Sequence, residues 1–483
     1  MNEQDNTVLM NTPFGGIDKI DEVYFIGIGG IGMSAIAKFF HSRGVRVSGY
    51  DKTSTELTKG LEENGIAVHY EENVELIPKK VDLVVYTPAI PREHKEFDYY
   101  KSNGYKVVKR SDVLQMITES SFNICIAGTH GKTTITTMIA HLLRDSGFGC
   151  NAFLGGIAVN YGTNFWPQDP TSASSRSEKN VCVVEADEYD KSFLKLDPDI
   201  AVITAMDADH LDIYGTAEAM EQAFVDLSKK IRPGGLLVKQ FGLKKGKELK
   251  ADRQLIYSLQ NESADVYVTN IRMMHGSYEF DVMLKDNMVE NVRLNMGGMH
   301  NVENAVAAIA VVSSLEIEND KIKAAVESFR GVKRRFEYII RNERIVFIDD
   351  YAHHPEELKA LIKGAKSLFS QKKCTVIFQP HLYTRTKDLA DGFAESLSLA
   401  DEIILLPIYP ARELPIAGVS SEVIADKMED RNVTVMTKED LMNWIEKNYM
   451  KLVNREFGEV LITAGAGDID MLVEPIKEII KEI

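Results

Sequence analysis

The chain has 483 residues, too many for one hydrophobic core, and its 44% hydrophobic and 27% charged residues are ordinary for a soluble enzyme. Its net charge of -16 disfavours nucleic acid and anionic membranes as long-range partners. The N-terminus lacks the order of a signal peptide and no apolar run reaches the roughly 18 residues of a membrane span, so we expect a cytoplasmic protein.

Strand-like apolar runs alternate with helical patterns along the chain, which is typical of parallel α/β sheets. In the first part, Val23–Ile28, Val45–Tyr50 and Val81–Thr87 are predicted strands, and Met33–Phe40 is a predicted helix. A second cycle opens with strand Asn123–Ala127 and helix Thr133–Arg144, and continues with strands Val181–Glu185 and Ile200–Ala205.

Two later stretches complete the prediction. Val266–Leu284 alternates apolar and polar residues like a hairpin on the edge of that sheet, and Asn304–Ser314 is a buried helix. Further buried parallel strands are predicted at Ile345–Ile348, Thr375–Phe378, Ile403–Leu406 and Val460–Thr463. We therefore predict three α/β domains: a Rossmann-like domain over 1–119, a central P-loop mononucleotide-binding domain over 120–329 and a Rossmann-like domain over 330–483.

A glycine motif follows the first predicted strand. Gly27, Gly29 and Gly32 fit GxGxxG, Gly30 lies within the motif, and Asp51 ends the next strand about 20 residues later, as in dinucleotide-binding folds. Such a loop binds a diphosphate at a helix N-terminus, but NAD, FAD and a UDP-sugar all carry one. A glycine turn needed only for strand–helix packing is the alternative.

A second loop, Gly128–Thr134 (GTHGKTT), lies between strand Asn123–Ala127 and its helix. It has the GKT core of a P-loop, although Ile126 stands where the full Walker pattern has glycine. Loop N–H groups would bind phosphates, Lys132 would contact the β and γ oxygens, and the Thr133 hydroxyl could ligate Mg2+. The alternative is a chance match in a loop.

Acidic residues and a histidine follow the next two strands. Glu185 ends its strand at the carboxyl edge where ligands of open sheets bind, so metal binding is favoured over a solvated acidic turn. His210 follows strand Ile200–Ala205, and a metal or phosphate role is as plausible for it as a structural one.

Three polar clusters follow strands in the third predicted domain: Asp349–Pro355, Gln379–Thr386 and Gly465–Asp468. Each histidine in them could by itself be a helix cap or a core-edge residue. Together they predict one edge that binds an anion or a carboxylate.

These motifs, in this order, resemble the Mur ligase family. The matching segments are Gly27–Ala37, Gly128–Thr134, Glu185–Phe193, Asp207–Gly215, Gly298–Ala308, Gly331–Glu337, Asp349–Pro355, Phe378–Thr386 and Gly465–Ile469. The resemblance therefore extends over nearly the whole chain. It implies a UDP-substrate domain, an ATP domain and a third domain that contacts the amino acid and the nucleotide.

The resemblance also implies roles for residues at matching positions. The ATP-binding set is Gly128, Thr129, His130, Gly131, Lys132, Thr133, Thr134, Asn301, Asn304, Arg335 and Asp350. The UDP-substrate set is Gly27, Gly29, Gly30, Gly32 and Asp51, and the amino-acid set is Tyr351, His353 and Arg385. The implied metal ligands are Thr133, Glu185 and His210, and the implied catalytic residues are Lys132, His210, His353, His381 and Arg385.

The implied reaction is the ATP- and Mg2+-dependent joining of L-alanine to the lactyl carboxylate of UDP-N-acetylmuramate through an acyl phosphate, by a monomer or weak homodimer that neither binds nucleic acid nor inserts into membranes. A recycling ligase that attaches an intact tripeptide is the nearest alternative. An NAD-dependent oxidoreductase and a regulatory ATP-binding module are alternatives from other classes. Tyr189 and Leu382 depart from the family pattern, which has serine and arginine there in many members.

Overall fold

The computed structural model describes residues 17–91, 93–176, 180–189, 191–207, 211–285, 287–411, 413–428, 432–449, 453 and 456–481. The chain divides into two compact units. The first comprises the described residues of Met1–Gly156 and Thr163–Leu255, and the second those of Ile157–Gly162 and Ile256–Ile483. Among the described residues, no helix is long and apolar enough to span a membrane.

The first unit begins with a five-stranded parallel sheet in the order β3-β2-β1-β4-β5. Its strands are β1 (Glu22–Ile26), β2 (Arg46–Tyr50), β3 (Ala67–His69), β4 (Leu83–Tyr86) and β5 (Val107–Lys109). Its helices are α1 (Ile31–Ser42), α2 (Glu56–Glu63), α3 (Lys95–Ser102) and α4 (Arg110–Glu119). Strand β1 ends before the predicted Ile28, because Gly27 adopts a φ of +86° that turns the chain out of the strand.

The second sheet has seven strands in the order β12-β11-β10-β6-β9-β7-β8. They are β6 (Phe122–Ala127), β7 (Asn151–Ala158), β8 (Thr163–Trp166), β9 (Val181–Glu185), β10 (Ile200–Ile203), β11 (Leu236–Gln240) and β12 (Arg253–Tyr257). Helices α5 (Lys132–Asp145), α6 (Leu211–Tyr214) and α7 (Ala217–Ser228) accompany them. The central strands β10, β6 and β9 are parallel and almost wholly buried, which explains their near-continuous apolar sequences.

Helix α1 joins the first two sheets. The Phe39 ring lies 6.1 Å from that of Phe165 on β8, edge to face. Next to it, the fully buried Asn164 donates to the Ile31 carbonyl at 2.6 Å and accepts from Lys38 Nζ at 2.8 Å. The two sheets therefore share one hydrophobic core, and the glycine loop before α1 and the P-loop after β6 belong to one compact unit.

The second unit contains a three-stranded antiparallel sheet, β13 (Tyr267–Met274), β14 (Ser277–Leu284) and β15 (Asn287–Leu294), packed on α8 (Met299–Ser313) and α9 (Asn319–Ser328). The predicted hairpin exists, but within a three-stranded sheet of its own. Its start is bridged to the end of β12, the edge strand of the preceding sheet, at Tyr257 and Val266. Strand β14 is the most buried of the three and pairs on both sides, so it needs a third strand. A bulge in the β14–β15 pairing obscures the alternation of β15 in the sequence.

The last sheet has six strands in the order β16-β17-β21-β18-β19-β20. They are β16 (Glu337–Arg341), antiparallel at the edge, and the parallel β17 (Ile345–Asp350), β18 (Lys373–Phe378), β19 (Glu402–Leu405), β20 (Val433–Val435) and β21 (Glu459–Ala464). Its helices are α10 (Pro355–Leu368), α11 (Tyr383–Asp388), α12 (Ala390–Leu397), α13 (Glu422–Ala425), α14 (Lys438–Trp444) and α15 (Val473–Ile480). The four predicted strands are confirmed, and their polar loops share one edge of the sheet.

Candidate active site

The glycine loop between β1 and α1 is closed by backbone hydrogen bonds. The N–H groups of Gly27 and Ile28 both donate to the Tyr50 carbonyl, at 2.8 and 2.9 Å. The Gly29 N–H donates to Asp51 Oδ2 at 2.7 Å. In this structure the Asp51 carboxylate therefore holds the loop itself.

The remaining glycines of this loop set its distance from neighbouring side chains. Gly30 immediately precedes α1, and a Cβ on Gly32 would lie 2.3 Å from Nη1 of Arg110. The Arg110 guanidinium lies 3.6 Å from Asp187 in the acidic segment after β9. Only glycine at position 32 lets this arginine lie across the start of α1.

The P-loop has the backbone that a phosphate-binding loop needs. Gly128 and Gly131 have φ values of +129° and +77°, and Lys132 begins α5. A Cβ on Gly128 would lie 2.2 Å from Thr204 Oγ1, and the Thr204 hydroxyl donates to the His130 carbonyl. Thr204, directly after β10, thus fixes the P-loop by this hydrogen bond. The N–H groups of the loop lie at the N-terminus of the amphipathic helix α5.

The Lys132 side chain is held by a buried carboxylate. Its Nζ donates to Glu188 Oε1 at 2.8 Å and to the Gly128 carbonyl at 2.7 Å. Glu188 is only 1% exposed and Lys132 14%. The Tyr214 hydroxyl donates to the Glu188 carbonyl at 2.7 Å and so fixes the segment that carries this carboxylate.

Two predicted metal ligands are adjacent. The Thr133 hydroxyl donates to Glu185 Oε1 at 3.1 Å, at the point where α5 begins and β9 ends. Gly155 leaves room for this carboxylate, since a Cβ there would lie 2.0 Å from Glu185 Oε2. A hydroxyl and a carboxylate are the oxygen donors that Mg2+ prefers, so these residues fit the ion. The third predicted ligand, His210, lies outside the described residues.

The other predicted residues of the P-loop have local contacts. His130 Nε2 lies 3.3 Å from Asp207 Oδ2, with both side chains exposed. The Thr129 hydroxyl accepts from the Asp207 N–H at 3.2 Å, and Thr134 is buried in the first turn of α5. The segment after β10 is therefore tied to the P-loop at two points.

In the second unit, the first turn of α8 places the two predicted asparagines together. The Asn301 amide donates to the Gly297 carbonyl at 2.7 Å and its oxygen accepts from Asn304 at 3.1 Å. Asn301 is buried, whereas Asn304 is partly exposed. Asn301 thus supports the start of α8, and Asn304 is the more accessible of the pair.

The end of β17 brings Asp350 and Tyr351 beside the loop before β16. Both Asp350 oxygens accept backbone N–H groups, from Phe336 and from Ala352, each at 2.7 Å. The Tyr351 ring lies under the Arg335 guanidinium at 5.4 Å. Asp350 therefore shapes this loop, and burial raises its pKa.

Arg334, beside Arg335, is held by buried partners. It adopts a φ of +61°, donates to the Gly465 carbonyl and lies 3.4 Å from Asp349. Burial raises the pKa of Asp349 to about 6, although Arg334 opposes the shift. The guanidinium of Arg334 thus braces the turn that presents Arg335.

Three of the predicted amino-acid-binding and catalytic residues, His353, His381 and Arg385, lie together at the edge of the last sheet. The His353 and His381 rings are 6.1 Å apart, and Arg385 Nη1 lies 3.2 Å from His381 Nδ1. Burial lowers the pKa of His381 and the Arg385 charge lowers it further, while burial also lowers the pKa of His353. Neutral imidazoles beside a guanidinium make a site for a carboxylate or phosphate.

The sequence does not predict the supporting contacts of four charged residues: Glu188, Arg334, Glu357 and Glu413. Glu357 accepts the His353 N–H at 2.9 Å, and Glu413 accepts the Thr384 N–H at 3.0 Å. Glu188 lies in the acidic segment that the sequence flagged, and Glu357 stands three residues after His354 as in a capping box. Glu413 carries no local signal.

Three family models match this chain: "Mur ligase family, catalytic domain" over residues 22–121, "Mur ligase middle domain" over 126–312 and "Mur ligase, glutamate ligase domain" over 334–467. The chain belongs to the Mur ligase family, a family of ATP-dependent ligases. The predicted three-domain α/β class is confirmed.

The similarity extends to individual relatives. The UDP-N-acetylmuramate–L-alanine ligase of Phocaeicola vulgatus is 46% identical over 95% of this chain and 98% of that protein. The ligase of the same name from Cytophaga hutchinsonii is 45% identical over 95% and 97%. The crystal structure of UDP-N-acetylmuramate-alanine ligase MurC from Thermotoga maritima matches with a TM-score of 0.80 and 28% identity, over 95% of this chain and 99% of that one.

A murein peptide ligase from Psychrobacter arcticus matches with a TM-score of 0.65 at 23% identity, over 96% of this chain and 99% of that one. At that identity the match shows the fold alone.

Proposed function

We propose that this protein joins L-alanine to the lactyl carboxylate of UDP-N-acetylmuramate, with ATP converted to ADP and phosphate. The observation that carries the proposal is the 46% identity to a ligase of that name over 95% of the chain. Two local geometries support it. One is a P-loop lysine at the start of α5, and the other is the His353–His381–Arg385 cluster, which suits an anion.

In the first step an oxygen of the lactyl carboxylate attacks the γ-phosphorus of ATP. The bond from that phosphorus to the β,γ-bridging oxygen breaks, ADP leaves and an acyl phosphate forms. Lys132 neutralises charge on the γ-phosphoryl oxygens, and the loop N–H groups from Gly128 to Thr134 orient the β-phosphate. The family resemblance also assigns Asn301, Asn304, Arg335 and Asp350 to nucleotide binding.

Mg2+ belongs to this proposal because Thr133 and Glu185 fit it, with His210 as a third ligand. When bound, the ion supplies neutralisation of phosphate charge. The hydrogen bond between Thr133 and Glu185 keeps both oxygens at the end of β9. The glycine loop at Gly27–Gly32 holds the UDP diphosphate at the N-terminus of α1.

In the second step the alanine amine attacks the acyl carbon. The carbon–oxygen bond to phosphate breaks with its electron pair on phosphate, and the proton lost by the attacking nitrogen is taken up by the released phosphate. Arg385 holds the alanine carboxylate or the leaving phosphate, and burial keeps the neighbouring His353 and His381 neutral. The Tyr351 ring packs edge to face against the His353 ring at 5.2 Å and forms one wall of the proposed alanine site. Catalysis is thus by positioning and charge neutralisation, without a covalent enzyme nucleophile.

The protein is further proposed to act in the cytoplasm as a monomer or weak homodimer, without nucleic-acid or membrane partners. Its net charge of -16 supports the exclusion of nucleic acid.

The test is phosphate release from ATP by the purified protein with Mg2+ and UDP-N-acetylmuramate, comparing L-alanine with the preformed tripeptide. Release that requires L-alanine supports the proposal. Release with the tripeptide alone would move the assignment to a recycling ligase. Lys132→Ala should remove release in either case, because Lys132 is the proposed phosphate contact. The variant also leaves Glu188 without its ion-pair partner, so far-UV circular dichroism must show that it is folded before its loss of release is interpreted.

A further inference from the structure

Helix α11, which carries Arg385, begins without a cap of its own. The residue before it, Leu382, has no polar side chain and adopts φ +70° and ψ 136°. This backbone region favours glycine, so a leucine there must be held by its surroundings. The first N–H groups of a helix also need acceptors that the helix cannot supply.

Glu413, almost thirty residues later, supplies the missing acceptor. Its Oε2 accepts the Thr384 N–H at 3.0 Å and its Oε1 accepts the Thr384 hydroxyl. The hydrogen bond from the Thr384 hydroxyl, and next the one from the Thr384 N–H, lower the pKa of Glu413, so the carboxylate is ionised at neutral pH. A carboxylate suits the positive end of a helix.

The loop that brings Glu413 to α11 is itself tied to the same strand ends. The Leu382 N–H donates to the Tyr409 carbonyl at 2.9 Å, and the Tyr409 N–H donates to the Pro380 carbonyl at 2.8 Å. The His381 and Tyr409 rings stack at 5.7 Å. The strained Leu382 therefore lies between a backbone bridge on one side and the Glu413 hydrogen bonds on the other.

Arg385 depends on this arrangement. It follows Thr384 directly, and its Nη1 lies 3.2 Å from His381 Nδ1. Burial lowers the pKa of Arg385, and the negative charges of Glu357 and Glu413 act in the opposite direction. Glu413 thus acts on Arg385 both through the helix backbone and through charge.

We propose that Glu413 is a positioning residue that fixes the start of α11 and thereby the direction of the Arg385 guanidinium for the alanine-dependent step. This inference rests on the proposed function for the substrate, but the positioning itself is a property of the fold. Glu413 does not contact the reacting atoms.

The test compares Glu413→Ala and Glu413→Gln with a matched control, Glu395→Gln. Glu395 is an exposed carboxylate on α12 that pairs with Lys359 at 3.0 Å, outside the predicted sites. The alanine variant removes both hydrogen bonds. The glutamine variant keeps one oxygen acceptor for the Thr384 N–H, loses the negative charge, and replaces the second acceptor with an NH2 donor that the Thr384 hydroxyl oxygen can accept. The comparison separates capping from electrostatics.

The kinetic readout is the KM for each substrate. Glu413→Ala should raise the KM for L-alanine at least about tenfold, since small errors of position in a binding group are costly, and leave the KM for ATP within about twofold. Glu413→Gln should fall between wild type and alanine, and Glu395→Gln should match wild type. A merely structural role would reduce the amount of folded protein and leave the alanine KM unchanged.

A second readout follows Arg385 without turnover. In protein labelled with 15N-arginine, the Nε–H signal that disappears in Arg385→Lys should move in Glu413→Ala and stay in place in Glu395→Gln. An unmoved signal in both Glu413 variants, or an unchanged alanine KM in folded Glu413→Ala, would overturn the proposal. If wild type shows no alanine-dependent phosphate release, the proposed function fails, and the Arg385 signal still decides the positioning role.

Discussion

Glutamine in place of Glu188 would keep the shape of the side chain and remove its negative charge. Breaking a buried ion pair from one side costs about 3–5 kcal/mol when the other charge is left without a partner. The cost here should be smaller, about 2 kcal/mol, because glutamine still accepts a hydrogen bond from Lys132 and because Lys132 is 14% exposed. For a unit of this size, that corresponds to a melting temperature lower by about 4–8 °C.

ATP should reverse part of this loss. In the wild type, ATP phosphates must compete with the Glu188 carboxylate for Lys132. In Glu188→Gln the lysine charge is available to the phosphates, so ATP should bind more tightly and raise the melting temperature by more than in the wild type. The assay is thermal unfolding over a series of ATP concentrations with Mg2+ held constant.

Asp226→Asn is the control for this experiment. Asp226 pairs with Lys229 at 2.8 Å in the same unit, but both side chains are about half exposed. Such a surface pair is worth about 0–1 kcal/mol and lies at the C-terminal end of α7, so ATP stabilisation should stay at the wild-type value. Equal ATP stabilisation of wild type and Glu188→Gln would refute the competition between carboxylate and phosphate for Lys132.

Three further changes test other parts of the molecule. Gly128→Ala should destabilise the protein by more than about 2 kcal/mol, because φ is +129° and the new Cβ would lie 2.2 Å from Thr204 Oγ1. Chemical denaturation measures the free energy of unfolding, and a value equal to that of wild type would contradict the loop geometry. Burial raises the pKa of Asp349 to about 6, above its unfolded value, so its contribution to stability is present below pH 4 and is lost as the pH rises through 6. The unfolding free energy of wild type should therefore fall relative to Asp349→Asn between pH 4 and 7, and parallel pH curves would contradict the raised pKa. Burial, with the charge of Arg385, lowers the pKa of His381 below its unfolded value. The contribution of neutral His381 to the free energy of unfolding is therefore present above about pH 6.5 and is lost as the pH falls through the lowered pKa. Chemical denaturation of wild type and His381→Asn at pH 7 and pH 5 should show this loss in wild type alone.

The sequence predicts best the features that depend on neighbours along the chain. The P-loop glycines and the GxGxxG glycines were identified because positive φ values and tight strand–helix turns require glycine at fixed spacings. The placement of polar clusters at one sheet edge also followed from the order of parallel strands. Both predictions need only local patterns and the direction of the strands.

The supporting residues depend on contacts between distant segments, and no local pattern encodes those contacts. Glu188 is 56 residues from Lys132 in the chain and Glu413 is 29 from Thr384, so neither pairing has a characteristic spacing. The sequence likewise does not predict that Asp51 accepts a hydrogen bond from the glycine loop or that Leu382 adopts a strained backbone, because side-chain type alone determines neither.

The buried Asn164 has a practical consequence for dissecting the chain. The predicted boundary between residues 119 and 120 looks like a place to separate the first sheet from the second. A fragment ending there would expose the apolar surface around Phe39 and leave the Ile31 carbonyl and the Lys38 ammonium without the amide that they contact in the intact chain. Truncated versions made at that point should be poorly soluble, whereas a fragment that continues through β12 keeps the glycine loop and the P-loop on their shared core.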